Sequence, residues 1–238
     1  MILDWVWFSV FLLGIFGLIA GGNFISFKMW LRGSHIRKSL HVIISFIIFF
    51  SPYLFQSKWF PLSLTILFAV FNFLSIKKEW FTGFFGVDRK SYGTVYFPIA
   101  FAILIFFYWE TQPYVLQLCA MILGLGDPLA AIVGSSVKFK KTFIMHKSVK
   151  SVEGSSMMFL VTFICVIGAG IYHILPDIPI LHLFLLGTFI AFFATLSEAL
   201  FDDGIDNISI PLTAALFLDY LLYDINIVFD LWVISRTG

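Results

Sequence analysis

The chain predicts an all-α fold, a multi-pass transmembrane bundle of about eight helices, with seven as the lower count and the N-terminus outside. Three observations carry this. Hydrophobic residues make up 60% of the 238 positions and charged residues only 12%, with a mean hydropathy of +0.98, far more apolar than a soluble domain of this size needs. Apolar stretches near the length that crosses a bilayer as a helix recur along the whole sequence. The basic residues cluster in alternate loops.

In order, the apolar segments run approximately 5–27, 41–56, 59–76, 95–109, 113–136, 152–174, 180–200 and 208–223. The first is expected to remain as a helix, because Asp4 stands where a cleavable signal carries basic residues and the apolar run is too long. The fourth and eighth are short and rely on snorkelling flanks or local thinning of the bilayer. Cys119 and Cys165 lie inside apolar segments with no CxxC spacing, so they read as small buried hydrophobes. The whole chain, 1–238, reads as a single integral membrane domain.

With the N-terminus outside, the inner loops fall at about 28–40, 77–94, 137–151 and 201–207. They hold Lys28, Arg32, Arg37, Lys38, Lys77, Lys78, Arg89, Lys90, Lys138, Lys140, Lys141, Lys147 and Lys150, thirteen of the fifteen basic residues. Only Lys58 and Arg236 fall on the other side. The positive-inside rule then puts those loops in the cytoplasm, and many of the lysines need do no more than set that orientation. A net charge of +1 hides the separation.

The fifth segment carries Gly126-Asp127-Pro128 in an apolar run. An ionisable group at membrane depth costs roughly 2.5–3.5 kcal/mol on insertion scales, so it persists where it faces a cavity, a partner or an ion. Pro128 reads as the first turn of a restarted half-helix, with Asp127 as its N-cap and the positive helix end aimed at the site. Gly126, Ala130 and Gly134, four apart, form a small-residue face for close helix approach. A plain cap with packing glycines also accounts for this segment.

The third inner loop places Lys147 and Lys150 three apart, within reach of one polyphosphate, and offers Ser151 as cap of the next helix. A basic patch for anionic lipids is the other reading. The loop lacks GxxxxGK[ST], so it is no P-loop. In the first inner loop, Arg37 and His41 share a helical face, His41 being a general base, an orienting donor or an interfacial residue. Arg89 leads into Gly93 and Pro98 and contributes one cation.

Glu198, Asp202, Asp203 and Asp206 crowd the seventh segment's end and are followed by Asn207. Four carboxylates within nine positions exceed what capping needs and suit a hard divalent cation, Glu198 and Asp206 ahead of the other two. Carboxylates opposite lysines fit a nucleotide or phosphate substrate. Nucleic acid is not an expected partner.

In this order, Arg37-Lys38-x-x-His41, Arg89 with Gly93-Thr94-Val95-Tyr96, Gly126-Asp127-Pro128 with Gly134, Lys147-Ser148, Lys150-Ser151 through Glu153-Gly154-Ser155, then Glu198 with Asp206-Asn207 and Pro211, the chain resembles the polyprenol kinase family of phytol, dolichol and CTP-dependent diacylglycerol kinases. The resemblance spans about 37–211. It implies a multi-pass enzyme that uses CTP and Mg2+ to phosphorylate a lipid alcohol at the cytoplasmic face. It further implies catalytic roles for Asp127, Lys147, Lys150 and His41, nucleotide binding by Arg37, Lys38, Arg89, Ser151, Gly154 and Ser155, and metal binding by Asp127, Glu198 and Asp206. The Phe201-Asp202-Asp203 stretch is more acidic than the family's pattern, and Glu153 sits at a position that varies in it.

The region from Asp127 to Ser155 also resembles membrane CTP:phosphatidate cytidylyltransferases, which keeps a second reaction open. A transporter is the third reading, from a broken helix with an intramembrane carboxylate. Against it, the two halves show no evident repeat, and Asp219 is the one further acid at depth.

Overall fold

The computed structural model describes residues 2–29, 33–80, 92–137, 141–145 and 148–237. Among them are eight helices and one hairpin: α1 (Ile2–Met29), α2 (Gly33–Leu54), α3 (Trp59–Lys78), α4 (Gly93–Tyr108), α5 (Pro113–Ser136), β1 (Thr142–Met145), β2 (Ser148–Ser151), α6 (Val152–Ile171), α7 (Ile180–Leu200) and α8 (Asp206–Thr237). Six of the helices, α1, α2, α3, α5, α6 and α7, are long and apolar enough to span a bilayer. The 16 residues of α4 reach about 24 Å, short of a ~30 Å hydrocarbon core, so this helix depends on its neighbours or on thinning. Helices prevail because hydrocarbon offers backbone N–H and C=O groups no partner outside the chain itself.

The most buried helix is α5, with Val115, Leu116, Cys119, Ala120 and Ile122 fully enclosed. It packs against α2, α4, α6 and α8, while α1 lies outside, on α2 and α3. Gln117 Nε2 donates to the Phe49 carbonyl at 3.0 Å and ties α5 to α2. Asp4, buried in α1, accepts from the Gln56 backbone N–H at 2.7 Å and pins α1 to the α2–α3 turn. At the same end Gln112 Nε2 donates to Asp219 at 2.9 Å. Asp219 thus belongs to a local polar lock between the α4–α5 turn and α8.

Two expectations are corrected. The segment around Asp127 does not break, since α5 runs unbroken through Pro128 to Ser136, so Asp127 is an interior residue and caps nothing. Pro128 leaves the Gly124 carbonyl without its helical donor, and Gly124 is packed against Ser45 of α2. Contacts on both flanks hold the helix together across the lost bond. Secondly, the third inner loop is not wholly irregular. Residues Thr142–Met145 and Ser148–Ser151 pair antiparallel, Thr142 with Ser151 and Phe143 with Lys150. Lys150 therefore sits on a strand, where a three-residue spacing carries no helical meaning.

Helix ends also shift. The second helix starts at Gly33 rather than near 41, because its first turns are polar and hydropathy registers only the part in hydrocarbon. Arg37, Lys38 and His41 consequently all ride on α2. The eighth continues to Thr237, well past the expected 223.

Candidate functional site

At the end of the bundle where α2, α6 and α8 begin and α5 and α7 finish, these helices and the hairpin enclose a cleft of about 460 Å³. Its walls include Lys38, Asp127, Ala130, Gly134, Ser135, Thr142, Lys150, Ser151, Gly154, Ser155, Glu198, Asp202 and Asp206. Residues more than 160 positions apart thus meet in one place. Helices entering and leaving the same membrane face deliver them there.

The approach of α5 to α6 shapes the floor. A Cβ on Gly126 would lie 2.6 Å from Met158 Sδ, one on Gly134 2.6 Å from Ser151 Oγ, and one on Gly154 2.9 Å from the Ala130 carbonyl oxygen. The Gly154 neighbour is backbone, so only glycine fits there, whereas Gly126 and Gly134 first meet side chains. Ser151, extended at φ −108° and ψ 142°, accepts from the Gly154 N–H at 3.1 Å and caps α6. The opening turn of α6 therefore presents its positive end to the cleft.

Two ion pairs cross the cleft. Lys38 Nζ donates to Asp127 Oδ1 at 3.5 Å, joining α2 to α5, and Lys150 Nζ donates to Glu198 Oε1 at 2.6 Å, joining β2 to α7. Ser155 Oγ reaches the other Glu198 oxygen at 3.4 Å. Both oxygens of Glu198 are engaged by the protein, which places it as the anchor of Lys150.

The acidic turn folds through two successive left-handed residues, Asp203 at φ 56° and Gly204 at φ 93°, a conformation that aspartate tolerates and glycine adopts freely. It directs Asp202 and Asp206 to the cleft and leaves Asp203 exposed. Asp206 faces Asp127, Lys150 and Lys38. Burial and then the charge of Asp127 raise its carboxyl above the ordinary range.

Among the described residues, four carboxylates and two ammonium groups line the cleft. Among the described residues, no three His, Cys, Asp or Glu side chains converge into a complete metal cage. Asp127 and Asp206 are the two cleft carboxylates that could serve a cation such as Mg2+, which takes one or two carboxylates beside water and phosphate. Asp127 and Asp206 are the pair whose mutual repulsion such an ion would relieve.

Of the residues singled out in the sequence, Lys38, Asp127, Gly134, Lys150, Ser151, Gly154, Ser155, Glu198 and Asp206 line the cleft, and Gly126 packs beneath it. Arg37 and Asn207 do not line it, and Asn207 is buried. His41 lines a separate apolar cavity, its ring stacked 4.6 Å from that of Phe97, one turn along α2 from the Lys38 that is bonded to Asp127. Arg89 and Lys147 lie outside the described residues. Sequence reasoning missed Ser135 and Thr142 and ranked Asp202 behind Glu198 and Asp206, whereas Asp202 also lines the cleft. Thr142 is brought in by the hairpin, whose strands of four residues carry no clear alternation in sequence.

Comparison with protein-family models, with characterised proteins and with solved structures gives no match.

Proposed function

We propose that this protein is a CTP-dependent kinase that phosphorylates the hydroxyl of a membrane isoprenoid alcohol at the cytoplasmic face. The observation that carries the reading is the meeting of Lys38–Asp127 and Lys150–Glu198 around one cleft floored by the capped end of α6. The family resemblance supplies CTP and the alcohol, and the charge asymmetry of the loops supplies the side of the membrane.

Phosphoryl transfer asks a protein mainly for positioning and for stabilisation of charge on the transferring group. Lys38 and Lys150 neutralise phosphate oxygens, and the α6 N–H groups with Ser151 and Ser155 orient them. Glu198 acts as a positioning residue, because its bond to Lys150 fixes where that ammonium points. Asp127 and Asp206 would hold Mg2+, which would supply Lewis-acid stabilisation of the charge on the phosphates. The proton that the alcohol releases would go to a carboxylate of the cleft, such as Asp127, or to His41.

The cytidylyltransferase reading draws on the same cleft with a lipid phosphate in place of the alcohol. Purified protein given CTP labelled at either the γ- or the α-phosphate separates the two. Transfer of γ-label to an isoprenoid alcohol is the expected result. Transfer of α-label to a lipid phosphate with release of pyrophosphate would replace it with the alternative.

A further inference from the structure

Four helices, α1 to α4, enclose a second cavity next to the cleft, of about 80 Å³ counted as the space open to the centre of a water molecule. It extends along α2 from His41 to Phe55, about 20 Å at 1.5 Å per residue, so its small volume is spread into a slot one hydrocarbon chain wide. Over most of that length the wall is hydrocarbon, from residues such as Ile48, Leu64 and Phe68. Two hydroxyls on the wall are already used, Ser51 donating to the Ile48 carbonyl at 2.7 Å and Thr65 to the Leu62 carbonyl at 2.8 Å.

The end nearest the cleft differs. Thr94 is more than nine-tenths buried, lines the slot, and its Oγ1 has no hydrogen-bond partner among the described residues. Leaving a buried hydroxyl unpaired is costly, so this one marks a place for a polar group that enters from outside the chain. Asn72 Nδ2 holds the Thr94 carbonyl at 2.8 Å and fixes this turn of α4. One turn further along, Phe97 stacks on His41, which puts His41 and Thr94 at the same end. His41 lines the slot one turn along α2 from Lys38, whose Nζ is bonded to Asp127 in the cleft.

We propose that the slot between α1, α2, α3 and α4 binds the chain of a single-chain lipid alcohol, its hydroxyl held by Thr94 Oγ1 at the His41 end and directed toward Asp127. The inference rests on the lipid-kinase reading for its purpose, and it narrows the substrate. A slot one chain wide admits an isoprenoid or fatty alcohol and rejects the paired chains of diacylglycerol.

Photolabelling without nucleotide tests this apart from catalysis. The full chain in lipid nanodiscs is irradiated with a long-chain alcohol carrying a diazirine near its tail, and labelled peptides are mapped by mass spectrometry. The slot residues Ile48 and Leu64 are expected to carry the label, and excess single-chain alcohol, not diacylglycerol, to displace it. Thr94→Val keeps the side-chain shape and should weaken retention of the alcohol roughly two- to tenfold, leaving that of the matching alkane unchanged. A second variant, Leu64→Trp, fills the slot and should remove the label. Label confined to the outer groove of Ile43, Phe46 and Phe50, equal competition by diacylglycerol, or no effect of Thr94→Val would overturn the proposal. Slot labelling in a protein that transfers no phosphate from CTP would leave this inference standing and remove the kinase reading alone.

Discussion

Lys150 Nζ stands 2.6 Å from Glu198 Oε1, a strand residue locked to the last turn of α7 across 48 positions of sequence, with both side chains mostly enclosed. Removing one partner leaves the other charged and partly desolvated, whereas removing both does not. Lys150→Met should therefore destabilise the protein by about 1–3 kcal/mol. The double variant Lys150→Met with Glu198→Gln should recover part of that loss. Thermal unfolding in detergent checks it, and a double variant as unstable as the single one would remove the coupling. Activity should separate from stability, because the double variant still lacks the ammonium and should stay about 10²-fold slow in kcat.

Asp127→Asn preserves the shape of the side chain and an oxygen for Lys38, yet removes the charge that an ion would need. Folded yield should match the parent. Transfer of γ-label from CTP should fall by about 10²–10³-fold, the loss expected when a metal's stabilising charge is misplaced. Chelation should stop the parent enzyme and added Mg2+ should restore it, with Asp206→Asn needing at least about tenfold more Mg2+ for half-maximal rate. Full activity in Asp127→Asn would end the assignment of that residue.

The bundle was legible because hydrocarbon imposes helices and apolar runs show them. The partnerships were not. Nothing local in the sequence joins Lys38 to Asp127 or Lys150 to Glu198, since the first contact arises from the packing of α5 on α2 and the second from that of the hairpin on α7. Asp127-Pro128 read as a break because proline usually ends a helix, and packing against α2 and α6 overrode that local preference. The hairpin escaped because four-residue strands at a membrane surface give too short an alternation to stand out. Polar first turns hid the true start of α2, and with it the position of His41 beside the apolar slot.

Ser151 both caps α6 and lines the cleft, and two substitutions separate these roles. Ser151→Ala removes the acceptor of the Gly154 N–H and should cost about 1 kcal/mol of stability. Ser151→Asp restores a cap of good quality but points a negative charge where phosphate is expected. Stability should return in the aspartate variant while the KM for CTP rises by about tenfold or more. Equal KM values for the parent and Ser151→Asp would show that the nucleotide does not bind at this helix end.

The contact of Gly134 with Ser151 and Gly154 sets the distance between α5 and α6, and so the width of the cleft. A methyl group at Gly134 would lie 2.6 Å from Ser151 Oγ and 3.4 Å from Gly154 Cα, and the second neighbour is backbone that cannot rotate away. Gly134→Ala should therefore cost about 1–3 kcal/mol, as overpacking does, and should disturb the Ser151 cap with it. The control is Gly168 of α6, where an added Cβ meets nothing within 4 Å. There alanine should be neutral or stabilising by about 0.5–1 kcal/mol, because it restricts the unfolded chain and favours the helix. Paired unfolding curves in one detergent distinguish steric loss from the general effect of adding a methyl group. If both variants lost stability equally, close approach at Gly134 would not be what holds the two helices in register.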